Sequence, residues 1–311
     1  MPAPPPDART YRATLVDSTP CGNDGVLLTV RPEKQLEPIR ASRFFMLKRA
    51  DGVSPLIPRP FSIYRQSGDT IEFLLKVMGR GTRALAEARP GQELILTGPL
   101  GNGWPTLDGD GDPWVLLAGG VGSAPFYMAI QQALAGMDGA TPVPKEKITY
   151  LFGAANAGFL YDIEAFRSLG IPVYTATDDG SEGHRGNVLT LLHELWEKGT
   201  LPERVRLLAC GPDPMLEAVE DLSLERGLDA WLSLETLMGC GVGICNGCPV
   251  DTRPDGPLGE WPNAKCCVEG PVFHTGSITL HGPGNPHGSP SNHPTPRPEP
   301  EHVPARGKSG N

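Results

Sequence analysis

Trp114-Val115-Leu116-Leu117-Ala118, then Gly119-Gly120-Val121-Gly122-Ser123-Ala124-Pro125, then Phe126-Tyr127-Met128-Ala129-Ile130 reads as a strand, a glycine loop and the start of a helix. An unbroken apolar run of strand length fits a strand covered on both faces. Glycines directly after it let backbone amides approach a dinucleotide pyrophosphate at the carboxyl edge of a parallel sheet. The spacing departs from Gly-x-Gly-x-x-Gly, because Ala124 and Pro125 stand where the helix-packing glycine belongs. The loop alone therefore does not establish a dinucleotide fold. Ile148-Thr149-Tyr150-Leu151-Phe152, Val173-Tyr174-Thr175-Ala176-Thr177 and Val205-Arg206-Leu207-Leu208-Ala209 repeat the strand signal with helical stretches between them. Alternation of this kind predicts an α/β domain with an open parallel sheet over residues 108–225. Ala209-Cys210-Gly211-Pro212 ends a strand at the same edge, where a tight turn explains it as well as a binding loop does.

Working toward the N-terminus, the pattern changes at Leu107-Asp108-Gly109-Asp110-Gly111-Asp112. Before it come short apolar or alternating runs, among them Tyr11-Arg12-Ala13-Thr14-Leu15-Val16, Gly25-Val26-Leu27-Leu28-Thr29-Val30, Phe44-Phe45-Met46-Leu47 and Ile71-Glu72-Phe73-Leu74-Leu75-Lys76-Val77. Many short strands so spaced predict an antiparallel β-barrel over residues 1–107. Within it, Arg59-Pro60-Phe61-Ser62 offers a guanidinium for a pyrophosphate and a strand-borne hydroxyl for a flavin edge. Taken singly, Arg-Pro at a strand start reads first as turn chemistry. Gly79-Arg80-Gly81-Thr82 leads into a helix and offers free amides to phosphate, or is a plain strand-to-helix turn.

Working toward the C-terminus, Cys240-x4-Cys245-x2-Cys248 and, after a gap, Cys267 reproduce the plant-type spacing of a [2Fe-2S] centre. Gly239, Gly241, Gly243 and Gly247 thread this loop, as a backbone wrapping an inorganic core requires. A structural zinc site more often shows two separated Cys-x2-Cys pairs, and disulfides are disfavoured in a reducing compartment. Five of the seven cysteines lie between 240 and 267, which is metal usage and not a disulfide framework. The expected module spans 226–281. From 282 to 311 the chain is rich in Pro, Gly, Ser, Asn and His and reads as a disordered tail. Its His287, His293 and His302 read as solvated and not as metal ligands.

The 311 residues exceed what one core usually organises. A net charge of −9 argues against nucleic acid or anionic lipid as partner. The start Met1-Pro2-Ala3-Pro4-Pro5-Pro6 has no apolar run of a signal peptide, and no stretch is long enough to span a bilayer. The expectation is a cytoplasmic protein.

Taken in order, Arg-Pro-x-Ser, Gly-x-Gly-Thr, Gly-Gly-x-Gly-x-Ala-Pro and Cys-Gly-Pro resemble the ferredoxin–NADP reductase superfamily. The stretches Gly98-Pro99-Leu100-Gly101-Asn102-Gly103, Ala176-Thr177-Asp178-Asp179-Gly180-Ser181-Glu182-Gly183-His184-Arg185-Gly186 and Cys267-Val268-Glu269-Gly270-Pro271-Val272-Phe273 narrow it. With the cysteine loop they resemble the electron transfer subunits of NAD-dependent, type B, dihydroorotate dehydrogenases, over roughly residues 10–275. The resemblance implies FAD contacts at Arg59, Pro60, Phe61, Ser62, Leu74, Leu75, Lys76, Gly81 and Thr82. It implies NAD contacts at Gly119, Gly120, Gly122, Cys210 and Gly211, with Cys210 beside the nicotinamide. It implies iron ligation by Cys240, Cys245, Cys248 and Cys267, the last selected over its neighbour Cys266 by its distance from Gly-Pro-Val-Phe. The family usually carries arginine where this chain has Lys76, and a lysine holds its partner less directionally.

The implied activity is an oxidoreductase subunit of de novo pyrimidine (UMP) synthesis. Electrons would pass from an FMN-containing catalytic subunit through [2Fe-2S] and FAD to NAD+, in a heterotetramer of two chains of each kind. No catalytic acid, base or nucleophile for dihydroorotate is expected here, because that chemistry belongs to the partner. The alternative is an electron transfer subunit of another flavin and iron–sulfur enzyme, of the bifurcating NADPH:ferredoxin oxidoreductase or sulfhydrogenase type. NAD and NADP are not distinguishable from the residues alone.

Overall fold

The computed structural model describes residues 8–52 and 56–281; the expected tail and its histidines lie outside the described residues. The N-terminal half is a curled antiparallel sheet of β1 (Arg9–Cys21), β2 (Gly25–Pro32), β3 (Phe44–Arg49), β4 (Arg59–Ser62), β5 (Arg65–Ser67), β6 (Thr70–Lys76) and β7 (Glu93–Leu100), with helix α1 (Arg80–Ala86) between β6 and β7. Alternation sets the faces of β1: Tyr11, Ala13 and Leu15 are buried while Arg12 and Thr14 face out, as a pleat of period two requires. The strands pair in the order β4-β3-β7-β1-β2-β6-β5. Only Ile63 and Tyr64 separate the two edge strands in sequence. Ile63 N–H donates to Arg43 O (3.1 Å) on the β3 side, and Tyr64 N–H donates to Glu72 O (2.8 Å) on the β6 side. The sheet thus bends until its edges share a linker, which makes it a half-open barrel.

The second half is a mainly parallel sheet. Its strands β8 (Trp114–Gly119), β9 (Ile148–Ala154), β10 (Val173–Thr177), β11 (His184–Arg185), β12 (Arg206–Cys210) and β13 (Ala230–Ser233) are joined by α2 (Phe126–Ala135), α3 (Ile163–Ser168), α4 (Val188–Glu197) and α5 (Asp213–Arg226). After a short hairpin of β14 (Pro249–Asp251) and β15 (Asn263–Lys265), the strand β16 (Val272–His274) closes this sheet. The order is β11-β10-β9-β8-β12-β13-β16, with only β16 antiparallel to its neighbour. Every residue of β8 is buried, consistent with a strand covered on both faces. From β8 the chain winds outward through β9, β10 and β11, then returns to place β12 on β8's other side. That reversal opens a crevice at the carboxyl ends of β8 and β12.

The strands at both ends of the cysteine segment belong to this sheet, so the module expected over residues 226–281 is built onto the sheet's edge. They form an excursion from the sheet's edge that leaves after β13 and returns as β16. The register Trp231↔His274, Leu232↔Phe273, Ser233↔Val272 pins both its ends. Four-residue and three-residue strands are too short to be read from alternation, which is why the sequence pattern did not reveal this.

The excursion is also tied sideways. Glu220 of α5 is fully buried, pairs with Arg253, and accepts the Leu280 N–H at 2.9 Å. Ser223 Oγ and Thr275 Oγ1 share a hydrogen bond of 3.0 Å. Toward the barrel, Asn102 accepts the Val272 N–H (3.1 Å) and donates to Glu269 O (2.8 Å) and Val272 O (2.7 Å). The Asn102 N–H itself donates to Gly270 O at 2.8 Å. Two of the stretches that carried the family resemblance therefore clasp each other across 167 positions of sequence. The buried pair Ser42–Ser233 (2.9 Å) and the bond from Tyr64 to Asp162 (2.7 Å) complete the seam between the halves.

Candidate functional site

The four cysteines of the ferredoxin-like spacing come together as two pairs. Cys248 and Cys267 have their Sγ atoms 3.3 Å apart and share a hydrogen bond. Cys240 Sγ accepts the N–H groups of Val242 and Cys245, each at 3.4 Å, and the Cys245 thiol approaches it as well. Among the described residues no three or more His, Cys, Asp or Glu side chains gather around a single metal ion position. Two thiol pairs suit two irons better than one zinc, since a [2Fe-2S] centre takes two thiolates on each iron.

Burial opposes ionisation of Cys240, but the amides of Cys245 and Val242 bring its thiol down to about 7. The Cys267 thiol, aided by nearby backbone amides, brings Cys248 down to about 6, and Cys267 is raised by the same shared proton. Two thiolates in contact cannot both ionise without a cation between them. The donor set is thus all sulfur, partly ionised and lined with amides, which fits an iron–sulfur cluster. Glycine is required at two places here. Gly241 (φ 73°) and Gly243 (φ 82°) occupy the left-handed region, and a Cβ on Gly241 would stand 2.6 Å from Met46 Cγ of β3.

Cys266 faces elsewhere. Its backbone N–H donates to Cys248 O at 2.9 Å, but its Sγ points at Leu234 O, 3.7 Å away. Burial pushes this thiol up to about 12, with Thr236 opposing.

A cleft of about 170 Å³ lies between the curled sheet, the glycine loop and the start of the excursion. Of the residues expected to hold a flavin, Pro60, Phe61, Ser62, Leu74, Leu75, Lys76 and Thr82 line it. Arg59 and Gly81 do not line it but meet beside it. A Cβ on Gly81 would stand 2.2 Å from Arg59 Nε, so the guanidinium lies against the glycine. Thr82 Oγ1 accepts the N–H groups of Met78 (2.9 Å) and Gly79 (3.0 Å), fixing the loop that carries Gly81. An apolar floor with a few hydroxyls and one arginine at its end suits an aromatic ring bearing a phosphate tail.

A second cleft, of about 500 Å³, opens at the crevice between β8 and β12. Gly119 and Gly120 line it, while Gly122, Cys210 and Gly211 form the packed layer beneath. A Cβ on Gly122 would stand 2.3 Å from Cys210 O, and one on Gly211 would stand 3.0 Å from Gly119 Cα. The two loops approach so closely that only glycine fits. Cys210 is buried; that burial, with Glu235 nearby, pushes its thiol up while Ser233 opposes. Lys76 lines both clefts and lies 3.6 Å from Asp24.

Sequence reasoning missed several residues that the fold delivers. Glu235 follows β13 at the same carboxyl edge and faces the first cleft. It has accessible surface because it faces that space, yet the protein packed around it, with Asp213, pushes its carboxyl up while Lys76 opposes. Phe159, Tyr161 and Asp178 line the second cleft. The available signal was position: Glu235 and Asp178 stand just beyond the carboxyl end of a sheet strand, and Phe159 and Tyr161 lie in the connection that follows β9.

Comparison with known proteins agrees with this architecture. The model of the iron-sulfur cluster binding domain of dihydroorotate dehydrogenase B matches residues 235–279, and that of the oxidoreductase NAD-binding domain matches residues 116–221. The dihydroorotate dehydrogenase B (NAD(+)) electron transfer subunit of Bacillus mycoides (strain KBAB4) is 33% identical over 241 residues, 76% of this chain and 86% of that protein. Its counterpart in Bacillus cereus (strain Q1) is 32% identical over the same shares. Among solved structures, the NADH-dependent reduced ferredoxin-NADP oxidoreductase superposes with a TM-score of 0.70 at 22% identity, covering 86% of this chain and 89% of that one. The ferredoxin reductase of carbazole 1,9a-dioxygenase gives 0.57 at 20% identity, covering 71% and 67%. At these identities the structures speak for the fold.

Proposed function

Because the chain belongs to the family of dihydroorotate dehydrogenase B electron transfer subunits, we propose that it carries electrons from an FMN-containing catalytic subunit to NAD+. The setting is the oxidation of dihydroorotate to orotate in pyrimidine synthesis, in a cytoplasmic complex of two chains of each kind. The observation that carries this reading is continuity. Leu234, Glu235 and Thr236 line the first cleft, and four residues later the same strand of chain becomes the cysteine loop.

Bound flavin converts between the paired electrons of nicotinamide and the single electrons of an iron–sulfur centre. The chain's own residues supply placement. Cys240 and Cys245 would hold one iron, Cys248 and Cys267 the other, with the Val242 and Cys245 amides tuning the first pair. Arg59, resting on Gly81, would grip the FAD pyrophosphate. Phe61, Leu74 and Leu75 exclude water from the ring site, and Ser62 offers a hydroxyl at its edge. Gly119, Gly120 and Gly211 let the nucleotide backbone approach, and Lys76 stands where the two clefts meet. No residue here is assigned to abstract a proton from dihydroorotate. Among the described residues no helix is long and apolar enough to cross a membrane.

The test is co-purification with the catalytic subunit encoded in the same organism, followed by an assay for dihydroorotate-dependent NAD+ reduction. Activity that requires both chains supports the reading. A complex that ignores dihydroorotate but exchanges electrons with ferredoxin or a sulfur compound would move the chain to another flavin and iron–sulfur oxidoreductase.

A further inference from the structure

We propose that Ser233 is a positioning residue for the nicotinamide site: its hydroxyl holds the Cys210 sulfur toward that site, and Ser42 of the barrel fixes the hydroxyl. The inference rests on reading Cys210 as the residue beside the nicotinamide. Cys210 ends β12 and Ser233 ends β13, and the two are register partners in that parallel pair. The backbone of Cys210 has no play, since a Cβ on Gly122 would stand 2.3 Å from Cys210 O and 2.7 Å from Gly211 N. What is left to set is the side-chain torsion of Cys210, and a neighbour that bonds its sulfur selects one well.

The direction of the bonds follows from proton counting. Ser233 opposes the rise of the buried Cys210 thiol, which a donor to sulfur does. A serine hydroxyl has one proton to give. With that proton on sulfur, Ser42 Oγ is the donor in its 2.9 Å bond to Ser233 Oγ. The relay therefore runs from the barrel to the sheet, Ser42 to Ser233 to Cys210, and all three residues are buried. On the opposite side of β12 from β13 lie β8 and β9. There the buried Tyr150 hydroxyl has no hydrogen-bond partner and stands close enough for Cys210 to bear on its titration. Without Ser233 the thiol turns to that acceptor and leaves the nicotinamide side. Ser42 itself sits at φ 70°, the left-handed region that a residue with a Cβ disfavours. Glycine adopts it freely but has no hydroxyl for Ser233. A buried, strained residue whose side chain serves a site is the outlier from which function is inferred.

The experiment uses the full chain with its cofactors, as the native protein and as Ser233→Ala, Ser42→Gly and Cys210→Ala. The infrared S–H stretching band that vanishes in Cys210→Ala belongs to that thiol. In Ser233→Ala this band should move to lower frequency as the S–H donates to Tyr150 Oη. Hydride transfer from NADH to the flavin should slow by about tenfold or more, with flavin content and calorimetric binding of 5′-ADP unchanged. Ser42→Gly should move band and rate the same way by less, and should melt no lower than the native chain because the strain is gone. An unmoved band or a native rate in Ser233→Ala overturns the proposal, and a native rate in Ser42→Gly overturns the part given to the barrel. A native rate in Cys210→Ala overturns the reading of Cys210 on which the proposal rests.

Discussion

The parallel sheet and the cysteine excursion share an edge but are held together by different means. In the sheet, β8 is buried at every residue and ladders run unbroken from β11 to β13. Its shape follows from apolar burial and backbone pairing. Between Leu234 and Pro271 the excursion has two strands of three residues each. Its shape follows from contacts made to other elements: Glu220 from α5, Asn102 from the barrel, Met46 under Gly241, and sulfur atoms drawn together. A segment of this kind takes its structure from its neighbours and its inorganic load, so damage to it should leave the rest of the molecule standing.

The sharpest way to break that contrast is at sulfur. Cys267→Ser should abolish the reduced-cluster EPR signal while far-UV circular dichroism of the two sheets is retained. Cys266→Ser should keep the signal, because that thiol faces Leu234 and not Cys248. The opposite outcome would exchange the two assignments. A smaller effect is expected at the buried ion pair. Glu220→Ala removes the carboxylate that pairs with Arg253 and accepts the Leu280 N–H, a loss of about 3 kcal/mol. Hydrogen exchange should show it first in residues 249–281, and uniform exchange across β8 and β12 would count against an independently tethered excursion. Smallest is Gly241→Ala, which forces a Cβ into the left-handed region and toward Met46. About 1 kcal/mol of destabilisation is expected, read as a lower melting temperature of the cluster's visible absorption than of the protein's ellipticity.

Much of the sheet was legible because its strands are long or apolar enough to announce themselves. Leu116 and Leu117 sit in an apolar run bounded by glycine, and the Phe44–Leu47 run sits among turn residues. The glycine loop was legible as a loop, but its role depended on Cys210 and Gly211, 90 residues away, packing beneath it. What the sequence concealed is set by three-dimensional adjacency. Arg59 and Gly81 show nothing of each other until β4 and α1 meet. Glu235 looks like any acidic residue before a glycine-rich loop. The choice between Cys266 and Cys267 is a matter of which way two successive side chains point from one backbone. The two short strands β13 and β16 carry too few residues for alternation to mark them, and so the sequence did not show that both ends of the module lie in one sheet.

The clasp made by Asn102 carries a consequence for how the protein matures. Its four hydrogen bonds reach residues 269–272, which a ribosome delivers long after the barrel has emerged. A chain truncated before Cys267 leaves Asn102 without these partners and Cys248 without Cys267. Pairing of the thiols must then await the synthesis of Cys267, and the barrel acts as the jig against which that cysteine is set.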